Sequence, residues 1–234
     1  MAAALVIIGV LAIIAVGIYV GWYAKKKRRE ELALMATQLG LAYSPQDTFN
    51  LLGLPFGLFR MGDGRGTENV LSGTWQDIPL QEFDYWYYEE STDSKGNRTK
   101  TYYRFSCVVS QLPFPSPHLS VSRENLFTRL ADHLGFEDIN FESEDFNRKF
   151  QIKSKDRKFA TDLIDARMMQ WLLATANGWS YELSGPYLLC HHKRLRPPEL
   201  TPLLGTMKDF RDRIPRVVYG LYGSGASGGS TFTA

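Results

Sequence analysis

Cys190, His191 and His192 are the residues whose types and spacing come closest to a catalytic pattern. On a β-strand, Cys190 and His192 point to one face and His191 to the other. A thiol beside an imidazole can act as nucleophile and base, or form half of a zinc site. His118 and His133 are remote in sequence, and no HExxH or paired CxxC motif completes a metal set. The pattern favours strand-end residues around a buried cysteine. A hydrolase or thiol enzyme using Cys190 and His192 is the alternative.

A run of carboxylates follows the middle of the chain: Glu137, Asp138, Glu142, Glu144 and Asp145. Carboxylates at this density could bind a divalent cation, but the alternation and central glycine of a calcium loop are missing. Basic side chains directly after the run could pair with these acids. We therefore interpret the run as a solvated connector, and we expect neither a metal nor a cofactor.

The stretch FDYWYYEE, residues 83–90, is the richest in aromatic side chains. On a strand, Phe83, Tyr85 and Tyr87 share one face, while Asp84, Trp86 and Tyr88 share the other. The polar segment 91–100 then predicts a hairpin with TYYRFSCVVSQL, residues 101–112. A turn centred on Lys95-Gly96 would pair Tyr88 with Tyr103, Trp86 with Phe105 and Asp84 with Cys107.

Cross-strand ring pairs of this kind stabilise a sheet by roughly 0.2–1 kcal/mol each, so the stretch needs no ligand to explain it. Both faces nevertheless carry large rings, and an uncovered face would be a patch for a partner or a membrane surface. Asp84 needs a backbone N–H or an arginine if it is buried. The candidate binding residues are Asp84, Tyr85, Trp86, Tyr87, Tyr88 and Arg104.

The N-terminus predicts a membrane anchor. Residues 2–24 contain no charge and are long enough to cross a bilayer core as one helix. Five basic residues follow at once, Lys25, Lys26, Lys27, Arg28 and Arg29, and none precedes the run. A cleaved signal peptide has the opposite order. The positive-inside rule then places the N-terminus outside the cell membrane and the rest of the chain in the cytoplasm.

The same cluster changes the meaning of the net charge. Residues 30–234 hold 22 basic and 25 acidic residues, a net charge of −3. Nucleic-acid binding depends on clustered cations, so we do not expect a nucleic-acid partner. The basic cluster itself should bind the bilayer and its anionic inner-leaflet lipids.

Gly17 and Gly21 form a GxxxG motif within the span. Such a motif permits close helix approach, so it could support a homodimer. Glycine is also common in membrane helices generally, and this simpler interpretation is favoured.

The fold class is predicted as α+β, because strands and helices occur in mixed order without repeated βαβ units. Four parts are expected. They are a transmembrane helix over 1–24, a basic juxtamembrane helix over 25–43, a cytoplasmic domain over 44–219 and a disordered Gly/Ser-rich tail over 220–234.

Within the domain we expect a loop over 44–66, in which GDGRG is an ordinary turn, and then an antiparallel meander. The PFPSP segment should break the meander before a short fourth strand. A second hairpin should turn at Ser184-Gly185-Pro186. Three to four amphipathic helices complete the domain, one after Ser122, one after Asp156 and one capped by Thr201.

Several segments together resemble a family of uncharacterised bacterial membrane proteins of actinobacterial type. They are LGLAYSPQD, GDGRGTENVLSGTW, FDYWYYEESTDSKGNRT and DINFESEDFNRKFQI. The resemblance spans nearly the whole chain and implies a single-pass membrane protein with a cytoplasmic α+β domain. It implies no activity.

The leading hypothesis is therefore a membrane-anchored, non-enzymatic domain that binds a protein partner or the inner-leaflet surface.

Overall fold

The computed structural model describes residues 2–123, 137–175 and 178–223. Those residues form an α+β fold in which a long N-terminal helix joins an antiparallel sheet covered by short helices. The fold class is as predicted. The helix expected after Ser122 and most of the Gly/Ser-rich tail lie outside the described residues.

Helix α1 runs without interruption over Ala2–Leu39. Its N-terminal part is apolar enough to cross a bilayer, and it is the one such helix among the described residues. The helix ends at Gly40, whose φ of 69° closes a left-handed cap. There Leu41 N–H donates to Ala36 O at 2.8 Å, which satisfies a carbonyl of the last turn. The span and the juxtamembrane segment are thus one rigid rod of about 57 Å.

Seven antiparallel strands form a single sheet, in the order β1-β2-β3-β4-β6-β5 with β7 paired to β4. They are β1 (Ala42–Ser44), β2 (Gly64–Trp75), β3 (Ile78–Thr92), β4 (Arg98–Arg123), β5 (Glu137–Asp138), β6 (Phe150–Ser154) and β7 (Ser180–Lys193). Strands β2 and β3 meet in a two-residue turn, in which Gln76 and Asp77 both have positive φ. Pro79 is paired with Thr74 inside β3.

The hairpin of β3 and β4 differs from the predicted register by one residue. Tyr88 pairs with Tyr102, Trp86 with Arg104 and Asp84 with Ser106. Asp93 and Asn97 close a three-residue loop in which Gly96 has a φ of 84°. An odd-numbered loop centres on Lys95 alone, which moves every cross-strand pair by one position. The residues of 83–90 nevertheless remain on the two strand faces that were predicted for them.

The expected break at PFPSP is wrong, because β4 continues through this segment and is 26 residues long in total. Leu112, Phe114 and Ser116 are buried there, and the prolines between them point outward. The expected second hairpin is also wrong, since β7 is one strand that pairs with β4 on both sides of Ser184-Gly185-Pro186. This segment lies at an irregularity of the pairing, and Gly185 has a φ of 55°.

Among the described residues, five short helices pack around the sheet: α2 (Glu144–Lys149), α3 (Arg157–Leu163), α4 (Ala166–Ala174), α5 (Leu200–Asp212) and α6 (Arg216–Tyr222). Asp156 and Asp165 cap α3 and α4, and the side chain of each accepts a backbone N–H. Thr201 is not a cap, because a 3₁₀ helix over Pro197–Glu199 leads directly into α5. Helix α6 includes Gly220–Tyr222, which we had assigned to the tail.

The sheet carries a core on each face. The main core lies under the C-terminal part of α1 and helices α2–α6, and includes Leu32, Leu80, Val108, Cys190 and Phe210. The minor core lies under the 45–63 loop, whose Leu51, Phe56 and Phe59 cover Phe83 and Tyr85. The loop contains two 3₁₀ turns and ends at Gly64, where β2 begins. GDGRG is therefore partly strand.

Candidate functional site

The two faces of the aromatic stretch have different surroundings. Tyr85 and Tyr87 are buried in the minor core, where the Tyr85 hydroxyl donates to Leu58 O at 2.9 Å. Both residues are thus structural. On the opposite face, Trp86 and Tyr88 are half-buried and Tyr102 is 46% exposed. The uncovered face of the hairpin is therefore the one that bears Trp86.

This uncovered face combines rings with cations, and we call Trp86, Tyr88, Lys100, Tyr102 and Arg104 the hairpin face. The three rings contact one another, with the Trp86 and Tyr88 centroids 6.3 Å apart and nearly parallel. Lys100 Nζ lies 4.1 Å from the Tyr88 ring, and the Arg104 guanidinium 5.1 Å from the Tyr102 ring. These are cation–π contacts on an open surface.

Two glycines of β2 allow these rings to lie flat. Gly66 pairs with Trp86, and Gly64 pairs with Tyr88. A Cβ on Gly66 would stand 2.6 Å from Trp86 Cζ2, and a Cβ on Gly64 would overlap the Tyr88 ring. The rings thus occupy the space where β2 would otherwise carry side chains. This explains the glycines of GDGRG by packing rather than by phosphate binding.

Asp84 joins the membrane helix to the sheet. Arg28 of α1 donates to both of its carboxylate oxygens, at 2.7 and 2.5 Å, and also to Leu195 O at 2.7 Å. Asn69 and Arg194 donate to the same carboxylate at 2.9 and 3.3 Å. The expected donor for Asp84 is thus an arginine, supplied by α1.

The pKa of Arg28 responds to this pairing. Burial lowers the pKa, but the hydrogen bond and the negative charge of Asp84 outweigh burial and raise it above its ordinary value. The two side chains are only 12% and 4% exposed. Because a buried pair of this kind is costly to break, it fixes the angle between α1 and the sheet.

A cleft of about 900 Å³ opens between α1 and the hairpin face. Gly21, Ala24 and Lys25 line it from the helix, and Trp86, Tyr102 and Arg104 line it from the hairpin. Further lining comes from Arg28, Thr67, Glu68, Arg194, Leu195 and Arg196. Its volume lies within the range of small-molecule sites. Five of the lining residues are basic and one is acidic, so the cleft suits an anion.

The five residues of the basic cluster have different surroundings. Lys26 and Lys27 pair with Glu30 and Glu31 along the helix, each at 3.8 Å. Arg29 is exposed. Arg28 is occupied by Asp84, so it does not share the exposed position that we expected for all five residues. Lys25 is exposed and lines the cleft.

Comparisons with known proteins give one fold relationship. A crystal structure of the mycobacterial trehalose monomycolate transport factor A, TtfA, aligns with a TM-score of 0.60 at 12% identity. The alignment covers 80% of this chain and 96% of that chain. No protein-family model and no curated protein matches the sequence. The likeness shows a shared fold, and its mycobacterial source is consistent with the actinobacterial resemblance.

Cys190 and His192 do not form a catalytic pair. Cys190 is fully buried in the main core, and burial raises the pKa of its thiol well above the ordinary value. A thiolate is therefore unfavourable at this position. His192 lies against Trp179, with ring centroids 5.0 Å apart, and its Nδ1 is 2.8 Å from Lys193 O. As predicted, Cys190 and His192 lie on one face of β7 and His191 lies on the other.

A buried polar group beneath the minor core was not expected from the sequence. Glu182 of β7 accepts hydrogen bonds from Gly57 N and Leu58 N at 2.7 and 3.1 Å. Burial raises the pKa of its carboxyl to about 7, although these hydrogen bonds lower it. His118 and His191 lie 3.8 and 4.0 Å from the carboxylate oxygens. Alternating polar residues in β7 were the available signal, and the partners could not be read from them.

The carboxylate run is spread over separate elements. Glu144 and Asp145 lie in the first turn of α2, where Asp145 is 3.5 Å from Arg148. Asp138 lies 3.7 Å from Lys153. Within the described ranges, no group of three or more potential ligand residues is arranged to hold a metal ion.

Proposed function

We propose that this chain is a membrane-anchored, non-enzymatic binding protein that acts on the lipid surface of the inner leaflet. In this proposal α1 crosses the bilayer with its N-terminus outside, and the domain lies in the cytoplasm. The observation that carries the proposal is the position of the hairpin face. It borders the same cleft as Gly21 and Ala24, the last turn of the apolar run.

The absence of a linker supports this position. Arg28 is fixed to the sheet, and it follows Ala24 by four residues of continuous helix. Four helical residues span about 6 Å, so the apolar run ends within about one turn of the domain. The domain is therefore held against the membrane surface.

The chemistry of the hairpin face also suits a lipid surface. Tryptophan and tyrosine rings favour the headgroup level, because one edge is polar and the rest is apolar. Lys100 and Arg104 would be attracted to anionic headgroups at about 1 kcal/mol per charge. Lys100 also lies 3.1 Å from Glu90, which holds it beside the Tyr88 ring.

The fold relationship is compatible with such a role. The protein with the shared fold is described as a transport factor for trehalose monomycolate, which is a glycolipid, and we extend to this chain only the general idea of a lipid-related role. The alternative, a hydrolase or thiol enzyme, is disfavoured by the burial of Cys190. A protein partner is the second candidate. It is favoured by Val217 and Leu221, which are 50% and 53% exposed one turn apart on α6.

The test uses the full chain in lipid nanodiscs that contain a headgroup-attached fluorescence quencher. Subtracting the Trp86→Phe spectrum from that of the wild type isolates Trp86. We expect the quencher to reduce this difference signal, and to do so more strongly in anionic nanodiscs.

Trp171→Phe is the matched control, because Trp171 lies beside Phe210 of the main core. Its difference signal should be insensitive to the quencher. If the Trp86 signal is equally insensitive, the hairpin face does not reach the headgroups and the proposal is wrong.

A further inference from the structure

We infer that the cleft between α1 and the hairpin face is a binding site for one anionic phospholipid, whose phosphate-bearing headgroup lies between Lys25 and Arg104. This inference rests on the proposed function and deepens it. A surface that only adheres to the bilayer needs no recess, whereas this recess is large, basic and continuous with the membrane-spanning helix.

Two of the lining cations are free to bind a ligand. Arg28 and Arg194 are engaged by Asp84, and Arg196 donates to Glu199 at 2.6 and 3.1 Å. Lys25 has no hydrogen bond or ion pair among the described residues, in contrast to Lys26 and Lys27. Arg104 has its side chain over the Tyr102 ring, and no acid pairs with it within the described part of the chain.

Helical geometry directs Lys25 toward the cleft. Residues three or four apart lie on one helix face, so Lys25 shares a face with Arg28, which is fixed to the sheet. Gly21 continues the same stripe toward the membrane. Lys26 and Lys27 project from other sides of the helix.

Arg194 also lines the cleft, but its guanidinium is held by Asp84 and its Nε is buried rather than exposed to the cleft. The negative charge of Asp84 is compensated by Arg28 and Arg194. A phosphate in the cleft can therefore accept from Arg104 and Lys25 together.

The source of the anion follows from the position of the cleft. Gly21 and Ala24 belong to the uncharged run, so one wall reaches the level at which the hydrocarbon begins. Trp86 and Tyr102 form the opposite wall, and their rings can cover the glycerol and the first methylene groups of a lipid. A free phosphate would leave these apolar walls in contact with water. The occupant is therefore a lipid headgroup rather than a soluble anion.

The experiment measures lipid retention by native mass spectrometry on the full chain, released from micelles that contain equal amounts of phosphatidylglycerol and phosphatidylcholine. We expect one phosphatidylglycerol to be retained in preference to phosphatidylcholine. Lys25→Gln and Arg104→Gln should each weaken retention by at least about tenfold, because each removes a charge-assisted hydrogen bond. Millimolar inorganic phosphate should not displace the lipid.

Lys27→Gln is the matched control, since it removes the same charge from the same helix but from a residue paired with Glu31. It should retain lipid like the wild type. Equal loss in all three variants, equal retention of the two lipids, or displacement by inorganic phosphate would each overturn the inference. If headgroup quenching of Trp86 persists in that case, the inference fails alone. If quenching is also absent, the proposed function fails with it.

Discussion

Buried carboxyl groups are the most informative single residues in this domain. Among the described residues, Glu82, Asp84 and Glu182 are each no more than 3% exposed. Asp84 is held by two arginines and an asparagine, and Glu182 by two backbone N–H groups. Neither oxygen of Glu82 has a hydrogen-bond partner there. Burial and the charge of Asp84 raise the pKa of Glu82 well above its ordinary value, so its neutral form is favoured.

Glu182 predicts a pH dependence of stability. Its pKa is raised from 4.5 to about 7 in the folded chain, chiefly by burial. The folded state therefore holds a proton that the unfolded state has released between these two values. The resulting stabilisation is complete below about pH 4.5 and is lost as pH rises through 7. Relative to Glu182→Gln, the wild type should lose about 3 kcal/mol across this window.

Thermal unfolding of both proteins at several pH values checks this expectation. His118 and His191 face the same carboxyl, and burial lowers their pKa values to about 4 and about 3. Both imidazoles are present in the two proteins, so the part of their titration that does not depend on the Glu182 charge cancels in the difference. The exposed Glu142 with the same substitution is the control. A difference curve that is flat or rises with pH would show that Glu182 is ionised in the folded state.

At the scale of elements, the pairing of glycine with aromatic rings shapes the hairpin face. We predict that Gly66→Ala destabilises the chain by about 1–3 kcal/mol, because the new methyl group overpacks against Trp86. Gly205→Ala is the matched control, since Gly205 lies in α5 and a Cβ added there would meet no atom within 4 Å beyond its own helix backbone and chain neighbours. It should instead stabilise by about 0.5–1 kcal/mol.

Both substitutions reduce the entropy of the unfolded chain in the same way, so the difference between their effects on the free energy of unfolding comes from the folded structure. The midpoint of thermal unfolding in detergent measures this difference, at about 2–4 °C per kcal/mol for a chain of this size. Trp86 emission should also shift in Gly66→Ala, because the ring must move from β2. Equal stabilisation by both substitutions would mean that the ring does not lie over Gly66.

The elements were predictable where the signal is local. Asp156 caps α3, and the alternation in FDYWYYEE defines two faces, since each depends on neighbouring residues. The hairpin register failed because a loop of three residues rather than two shifts every pair. The predicted break at PFPSP was wrong because prolines at outward positions need no ladder hydrogen bond. The sequence pattern also does not show that β7 lies beside β4 and pairs with its backbone.

The candidate site was predictable only in part, for the same reason. Trp86 and Arg104 were identified from the strand pattern, and Asp84 was expected to need an arginine. That arginine is Arg28, which is 56 residues away in sequence and was assigned to the membrane surface. Nothing in the local sequence separates it from Lys27 or Arg29. The cleft exists because of this long-range contact, so it could be found only from the structure.

At the scale of the whole molecule, α1 is joined to the sheet through Arg28 and Asp84. The cleft also bears on the GxxxG motif, because Gly21 lines it while Gly17 does not. A second helix packed across both glycines would close the cleft. Homodimerisation through this motif and lipid binding are therefore competing proposals for the same helix face.

The orientation of α1 in the membrane can be tested directly, because both the inner-leaflet function and the phospholipid site require the domain to lie in the cytoplasm. Five basic residues follow the apolar run, so the positive-inside rule places the N-terminus outside. In intact bacterial cells, a membrane-impermeant maleimide should label Ala2→Cys. Ser94→Cys, at the exposed tip of the hairpin, should be labelled only after the membrane is permeabilised. The wild type is its own control, because Cys107 and Cys190 are fully buried and should not react. Labelling of Ser94→Cys in intact cells would place the hairpin face and its cleft on the outer surface, where the inner-leaflet proposal fails.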